Sequence, residues 1–316
     1  MYRAMVSSDR IERRLKLQNL HVLLTVVQAG SMIKAAKRLN TGQPNISRSI
    51  SELENALGVR LLERHRRGVE PTAYGRALLD GGTIVFDSLR QAVKKIEFLA
   101  DPTAGEVRIG STPLLASSFV SAVVDRLSQR HPAVTFTLIT GYVETLYREL
   151  CERNVDLLVT RKFGSIADER LAFDFLFDDS SVVVAGAKSP WIRRRNITLD
   201  ELASERWVLP PRGSNIEWIA MDAFRDGKLD YPRTVVVTDS PYVRMSLLET
   251  GRYLTILPAS ALRFSMFPKI KVLPVELPKS RVPNGIVTLK ERTLNPVAHL
   301  FIEQAREEAR HLAKRK

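Results

Sequence analysis

The chain has 316 residues, with 48 Lys/Arg against 35 Asp/Glu and a formal net charge of +13, so an anionic partner is expected: nucleic acid or an anionic membrane surface. This length allows two or three compact units with proper cores. No run nears the roughly 18 apolar residues that span a bilayer, the first residues lack a secretion signal's apolar stretch, and the single Cys151 excludes an internal disulfide, so a cytoplasmic protein with no membrane partner is expected.

Residues 1–16 form a polar, basic extension carrying Arg10, Arg13 and Arg14. Residues 17–29 then read as an apolar helix with the stripe Leu20, Leu23, Leu24 and Val27. Ser31 is suited to cap a following short helix, whose narrow apolar face is Ala35, Ala36 and Leu39. Asn40-Thr41-Gly42 breaks it with turn residues, and Gln43-Pro44 opens the next helix, with Pro in the first turn where the missing N–H costs nothing. Ile46, Ile50, Leu53 and Leu57 recur at spacings of four, three and four, which buries one face. The other face carries Gln43, Asn45, Ser47, Arg48 and Ser51, small or hydrogen-bonding side chains able to reach base edges and phosphates. Two close-packed helices joined this way make a helix-turn-helix.

Residues 60–72 read as a hairpin turning near Gly68, with Arg64, Arg66 and Arg67 suited to a wing laid over phosphates or a minor groove. Residues 1–76 hold fourteen Lys/Arg against six Asp/Glu, so more than half of the chain's net charge sits in its first quarter. Tyr2 and Tyr74 are the only aromatics there besides the histidines, which disfavours a base-stacking single-strand binder and favours duplex DNA.

The ordered run Ser31, Ala35-Ala36, Leu39, Gln43-Pro44, Ser47, Leu53-Glu54, Leu57-Gly58, Leu62, Arg64, Arg67, Thr72 and Gly75 resembles the LysR-type transcriptional regulators of bacteria. One departure is Gly42, where that family has a small hydroxyl residue before Gln-Pro; Thr41 stands beside it. The resemblance implies DNA contacts from Ser31, Thr41, Gln43, Pro44, Asn45, Ser47, Arg48, Ser51, Arg64, Arg66 and Arg67. It also implies an interrupted inverted repeat as target, with half-sites about one helical turn apart, and contact with RNA polymerase.

Thr72 is placed to cap a long helix from Ala73 to about Leu99. Leu78, Val85, Leu89, Ala92 and Ile96 form a heptad seam that finds nothing to bury against in one small domain, so a second copy is expected, as homodimer or homotetramer. Gly81-Gly82 interrupts the seam and is expected to bend it, since glycine weakens a helix by about 1 kcal/mol. Asp101–Gly105 reads as a hinge.

Residues 106–316 alternate strands and helices, which implies parallel βαβ units. The strand 107–110 delivers Ser111-Thr112 to the start of a helix, a configuration suited to an anion. The strand entry Val155-Asp156-Leu157-Leu158 and the segment Gly251–Pro258 are similar to the family's effector domain, itself like periplasmic solute-binding proteins. The expected fold is therefore multidomain: an all-α winged helix-turn-helix at 17–75, a linker helix at 76–100, a hinge at 101–105, and a two-lobed α/β effector domain. Lobe I is assigned to about 106–180 and 263–316, and lobe II to about 181–262. Strand ends facing the cleft place Ser111, Thr112, Thr160 and Arg161 in lobe I, and Pro211, Arg212, Ser214 and Thr238 in lobe II. The resemblance adds Tyr142, and Arg161 with Arg212 suggests a small organic acid as effector.

An enzyme is disfavoured. His21, His65, His131, His299 and His311 show no metal spacing, no GxSxG, P-loop or CxxC occurs, and no cofactor is expected. Asp178-Asp179 reads as a turn, not a carboxylate pair. A solute-binding protein would not carry the DNA module, and a passive nucleoid protein would not need the α/β domain.

Overall fold

The computed structural model describes residues 15–314, apart from 66–67, 163–167, 213–216, 218–220, 222–223, 226, 264–268 and 278–281. It divides into two compact units, Met1–Arg90 and Gln91–Lys316.

In the first unit, helices α1 (Leu17–Ala29), α2 (Met32–Arg38) and α3 (Gln43–Leu57) are followed by strands β1 (Leu62–His65) and β2 (Gly68–Pro71), then by α4 (Ala73–Ala100). Of the apolar positions read from the sequence, Leu23, Ala35, Ile46, Ile50 and Leu53 are fully or almost fully buried together, joined by Val26 and Leu61, while Leu24 and Val27 are half-buried; each large buried side chain contributes about 1.5–3 kcal/mol. Glu54 fastens α3 to the wing, its Oε1 accepting from the Leu61 and Leu62 N–H groups at 2.8 and 3.3 Å. At the tip of the antiparallel β1–β2 hairpin, Gly68 has φ +143°, and a Cβ there would lie 2.7 Å from the Gly30 carbonyl oxygen. That carbonyl accepts from the Val69 N–H at 3.1 Å, so the wing is pinned to the α1–α2 turn.

Thr72 caps α4 as expected, accepting from the Gly75 N–H at 3.0 Å. Two local expectations change. Ser31 occupies the N-cap position of α2, but its hydroxyl makes no capping bond. Helix α4 runs unbroken through Gly81-Gly82; a Cβ at Gly82 would sit 2.9 Å from Leu20 Cδ1, so this glycine serves the close approach of α1 and not a bend.

The second unit contains two five-stranded mixed sheets. Lobe I orders its strands β4 (Ala133–Thr140), β3 (Ala104–Ser111), β5 (Leu157–Arg161), β12 (Val282–Leu289) and β6 (Leu171–Asp179). The β3–β4 and β3–β5 pairs are parallel, as the alternating pattern implies, and β12 runs antiparallel to both its neighbours. Helices α5 (Pro113–Leu115) and α6 (Ser121–Arg130), joined by a π-helical segment Ala116–Val120, lie with α7 (Val143–Cys151) and the last helix against this sheet. Lobe II orders β11 (Ile270–Val272), β7 (Ser181–Gly186), β10 (Leu254–Pro258), β8 (Trp207–Leu209) and β9 (Thr234–Val237). Its core centres on Trp207, whose indole N–H donates to the Leu202 carbonyl at 2.8 Å, and it is flanked by α8 (Leu199–Ala203) and α9 (Pro241–Glu249). Short helix α10 (Ala259–Arg263) precedes β11, and α11 (Pro296–Lys314) closes lobe I.

Because β11 belongs to the second sheet, lobe II extends past residue 262, where the sequence pattern ends it. Of the expected hinge, Asp101–Thr103 forms a turn in which the Asp101 carboxylate accepts from Thr103, while Ala104 and Gly105 already belong to β3. Asp178-Asp179 is the end of β6 and not a turn. Most of the expected helix at 216–224 lies outside the described residues.

Asp156, ahead of β5, organises lobe I. Its buried carboxylate accepts from Gln91 Nε2 at 3.2 Å, from the Arg108 N–H at 2.9 Å and from Arg292 Nη2 at 3.0 Å. The Arg292 guanidinium also donates to the Val155 carbonyl, and Lys94 stands 3.9 Å from Asp156. The C-terminal part of α4 is thereby tied to lobe I, with Phe98 packed on its core. Removing one member of a buried ion pair strands the other, at about 3–5 kcal/mol. Asp156→Asn should therefore lower the stability of the full chain by about that amount in urea unfolding, and a loss under about 1 kcal/mol would show the network to be dispensable.

Candidate DNA interface and interlobe cleft

Helix α3 turns its polar face outward because Ile46, Ile50 and Leu53 are drawn into the core. Gln43, Pro44, Asn45, Arg48 and Ser51 are exposed, Ser47, Thr41 and Ser31 partly so. Its N-cap is Gly42, which offers no side-chain cap, so the first-turn N–H groups stay open to an anion such as a backbone phosphate. Thr41 does not replace the missing hydroxyl as a cap: its Oγ1 accepts from Asn45 Nδ2 at 3.0 Å. Among the described residues, the side chains of Arg48 and Arg64 have no hydrogen-bond or ion-pair partner, and both are exposed. Arg66 and Arg67 lie outside the described residues.

In the second unit a cavity of about 510 Å³ opens between the lobes, a volume suited to a small molecule. Lobe I contributes Thr112, Leu114, Leu138, Tyr142 and Arg161, and lobe II contributes Leu209, Asp239, Tyr242, Arg244 and Ile256. The walls are mainly apolar, and the two arginines are buried. Arg161 lies 3.8 Å from the Asp179 carboxylate, whose oxygens also accept from the Ser260 N–H at 3.1 Å and hydroxyl at 2.5 Å. Arg244, on α9, is 1 % exposed, and its Nε has no hydrogen-bond partner among the described residues. The Tyr142 hydroxyl donates to Asp239 across the lobes, which raises the tyrosine pKa.

Residues 17–76 match the family description "Bacterial regulatory helix-turn-helix protein, lysR family", and residues 100–310 match "LysR substrate binding domain". The chain belongs to the LysR family. Among curated relatives, the transcriptional regulator GbpR of Azospirillum brasilense is 26% identical over 298 residues, covering 94% of this chain and 87% of the relative. The dual regulator GltC of Bacillus subtilis is 27% identical, covering 82% and 85%. Among solved structures, CbnR superposes with a TM-score of 0.64 at 22% identity, covering 93% of this chain and 99% of that one. A full-length OxyR variant from Pseudomonas aeruginosa gives 0.69 at 19%, covering 92% and 95%. This LysR-family chain is thus a transcription regulator with a DNA-binding and an effector-binding domain, and not an enzyme.

Within this LysR-type effector domain, the structure sorts the residues singled out by sequence. Thr112, Tyr142 and Arg161 line the cleft. Ser111 does not: its buried hydroxyl donates to the Val159 carbonyl at 2.8 Å, bracing β3 against β5. Thr160 is fully buried, and among the described residues its hydroxyl donates only to the neighbouring Arg161 carbonyl, at 3.4 Å. Arg212 stacks over the Tyr231 ring at 4.8 Å, Pro211 stands beside the lining Pro210, and Thr238 accepts from the Ser240 N–H to shape a turn. Ser214 lies outside the described residues. The sequence reading missed Arg244, Asp239 and Tyr242. A signal for Arg244 exists, because it shares the buried face of α9 with Leu248, four residues on. Ser117 and Ser121 also line the cleft, but both hydroxyls donate to carbonyls of their own helix.

The placements of Ser111 and Thr112 separate in a melt. Ser111→Ala should cost about 1 kcal/mol through its lost hydrogen bond, whereas Thr112→Ala should stay within about 0.5 kcal/mol of the parent. Equal losses in thermal unfolding would contradict this division.

Proposed function

We propose that the chain is a cytoplasmic homodimer or homotetramer that binds an interrupted inverted repeat in double-stranded DNA and adjusts transcription, with RNA polymerase, in answer to a small organic acid. The observation that carries the DNA half is the α3 face: Gln43, Asn45 and Arg48 stand exposed on a helix whose opposite side is locked into the core. In this reading Gln43, Asn45 and Arg48 meet base edges. Ser31, Thr41, Pro44, Ser47, Ser51, Arg64, Arg66 and Arg67 hold the backbone. CbnR has been crystallised with its target DNA, and the shared fold supports the same use of α3 here. The effector half rests on the cleft, with Thr112, Tyr142 and Arg161 as first contacts. No described helix is long and apolar enough to cross a membrane.

Selection of binding sites from random DNA, followed by anisotropy titration, tests the DNA half. Gln43→Ala should lose about 1–3 kcal/mol of discrimination at one base position. Arg64→Ala should weaken binding to all sequences alike and reduce the salt slope by about one. The same uniform loss in both variants would remove the separation between reading helix and wing.

Assembly is supported by the exposed stripe on α4, where Val85, Leu89, Ile96 and Leu99 are 41%, 46%, 66% and 72% exposed and Ala92 continues the line. Leu78 departs from the expected seam and packs against the winged-helix core. Leu89→Asp with Ile96→Asp would place unpaired carboxylates in an apolar contact at several kcal/mol each, so light scattering should report a smaller particle. An unchanged mass would remove this helix from the interface.

A further inference from the structure

The cleft holds two buried cations and one buried anion. Arg161 ends β5 of lobe I and Arg244 sits on α9 of lobe II, and both line the same cavity. Asp179 faces Arg161 and has both oxygens engaged by Ser260. The Arg244 side chain is nine-tenths or more buried, with no hydrogen-bond or ion-pair partner among the described residues. Burying a charge without a partner is costly, and here the uncompensated group opens onto space that a ligand can fill. The acidic side chains of the lining, Glu144 and Asp239, are exposed. A ligand entering this cavity therefore meets positive charge inside, negative charge outside and apolar walls between.

We propose that the effector is a singly charged carboxylate with an apolar body, and that its carboxylate lies between Arg161 and Arg244, replacing a repulsion between the lobes by a bridge. This rests on the reading of the cleft as the effector site. A second carboxylate on the ligand would face Glu144 and Asp239, which disfavours di- and tricarboxylates. A neutral sugar would leave Arg244 unpaired. The Arg244 guanidinium is pushed down to about 10, chiefly by burial and then by the charge of Arg161, which lines the same cavity, and it stays charged at neutral pH.

The test is thermal shift and calorimetry on the full chain with acetate, phenylacetate and 4-methylpentanoate, the amides of the last two, succinate, citrate and glucose. The monocarboxylates should stabilise the protein, phenylacetate more than acetate, while the amides, succinate, citrate and glucose should not. Arg244→Met should melt higher than the parent without ligand, because a stranded charge is gone, and should bind phenylacetate at least about tenfold more weakly. Amides as effective as acids, Arg244→Met responding like the parent, or no shift from any monocarboxylate at high-millimolar concentration would each overturn the proposal. Ala116→Trp, which fills the cavity, keeps the two readings apart. If it abolishes binding while Arg244→Met does not, the charge assignment fails and the cleft stands. If binding survives Ala116→Trp, the cleft itself is misassigned.

Discussion

An ionised side chain removed from water must find a partner inside the protein, and this constraint shapes the effector domain. Asp156 meets it in full. Strand β3, the C-terminal part of the linker helix and the loop before the last helix all direct donors at one carboxylate. The result is a rigid joint: the end of α4 cannot shift against lobe I without breaking bonds to a buried charge. Arg161 and Asp179 meet the constraint at longer range, at 3.8 Å. Arg244 does not meet it among the described residues.

The contrast assigns different parts of the domain to different tasks. Where charge is matched, as around Asp156, the structure is committed to one arrangement and transmits displacement. Where charge is unmatched and faces a cavity, the lobe interface keeps free energy available for a ligand to release. The Tyr142–Asp239 bond crosses the lobes at exposed residues, so it is an interaction that water competes with and that a ligand can displace. Any ligand-driven change requires a difference in affinity between two states. The cleft supplies one, because an anion between two lobes' guanidiniums binds a closed arrangement better than an open one.

The DNA-binding unit was legible in the sequence because its determinants are local. Spacings of three and four, a turn at Asn40-Thr41-Gly42 and a proline in the first helical turn fix α2 and α3 without reference to distant residues. The alternation of strands and helices in residues 106–162 was legible for the same reason. The cleft was legible only in part. Thr112 and Arg161 stand at strand ends and announce themselves by topology. Whether a hydroxyl there faces the cavity or the next strand depends on the register of β3 with β5, which separates Thr112 from Ser111. Asp179 was read as a turn because two adjacent carboxylates resemble one, and only the packing of β6 beside Arg161 and Ser260 reveals the role of the second. Arg244 is marked in the sequence only by its spacing of four from Leu248, which puts it on the buried face of α9; that its side chain finds no counter-ion among the described residues depends on how α9 sits on lobe II.

The central claim, that an anion draws the two lobes together through Arg161 and Arg244, is tested most directly by the distance between the lobes. Spin labels at Gln129→Cys on α6 and Asp200→Cys on α8, both exposed sites, in a Cys151→Ser background, report that distance by double electron–electron resonance. With phenylacetate the distribution should shorten and narrow, and with phenylacetamide it should match the ligand-free protein. Identical distributions with acid, amide and no ligand, at concentrations where calorimetry shows the acid bound, would contradict the account.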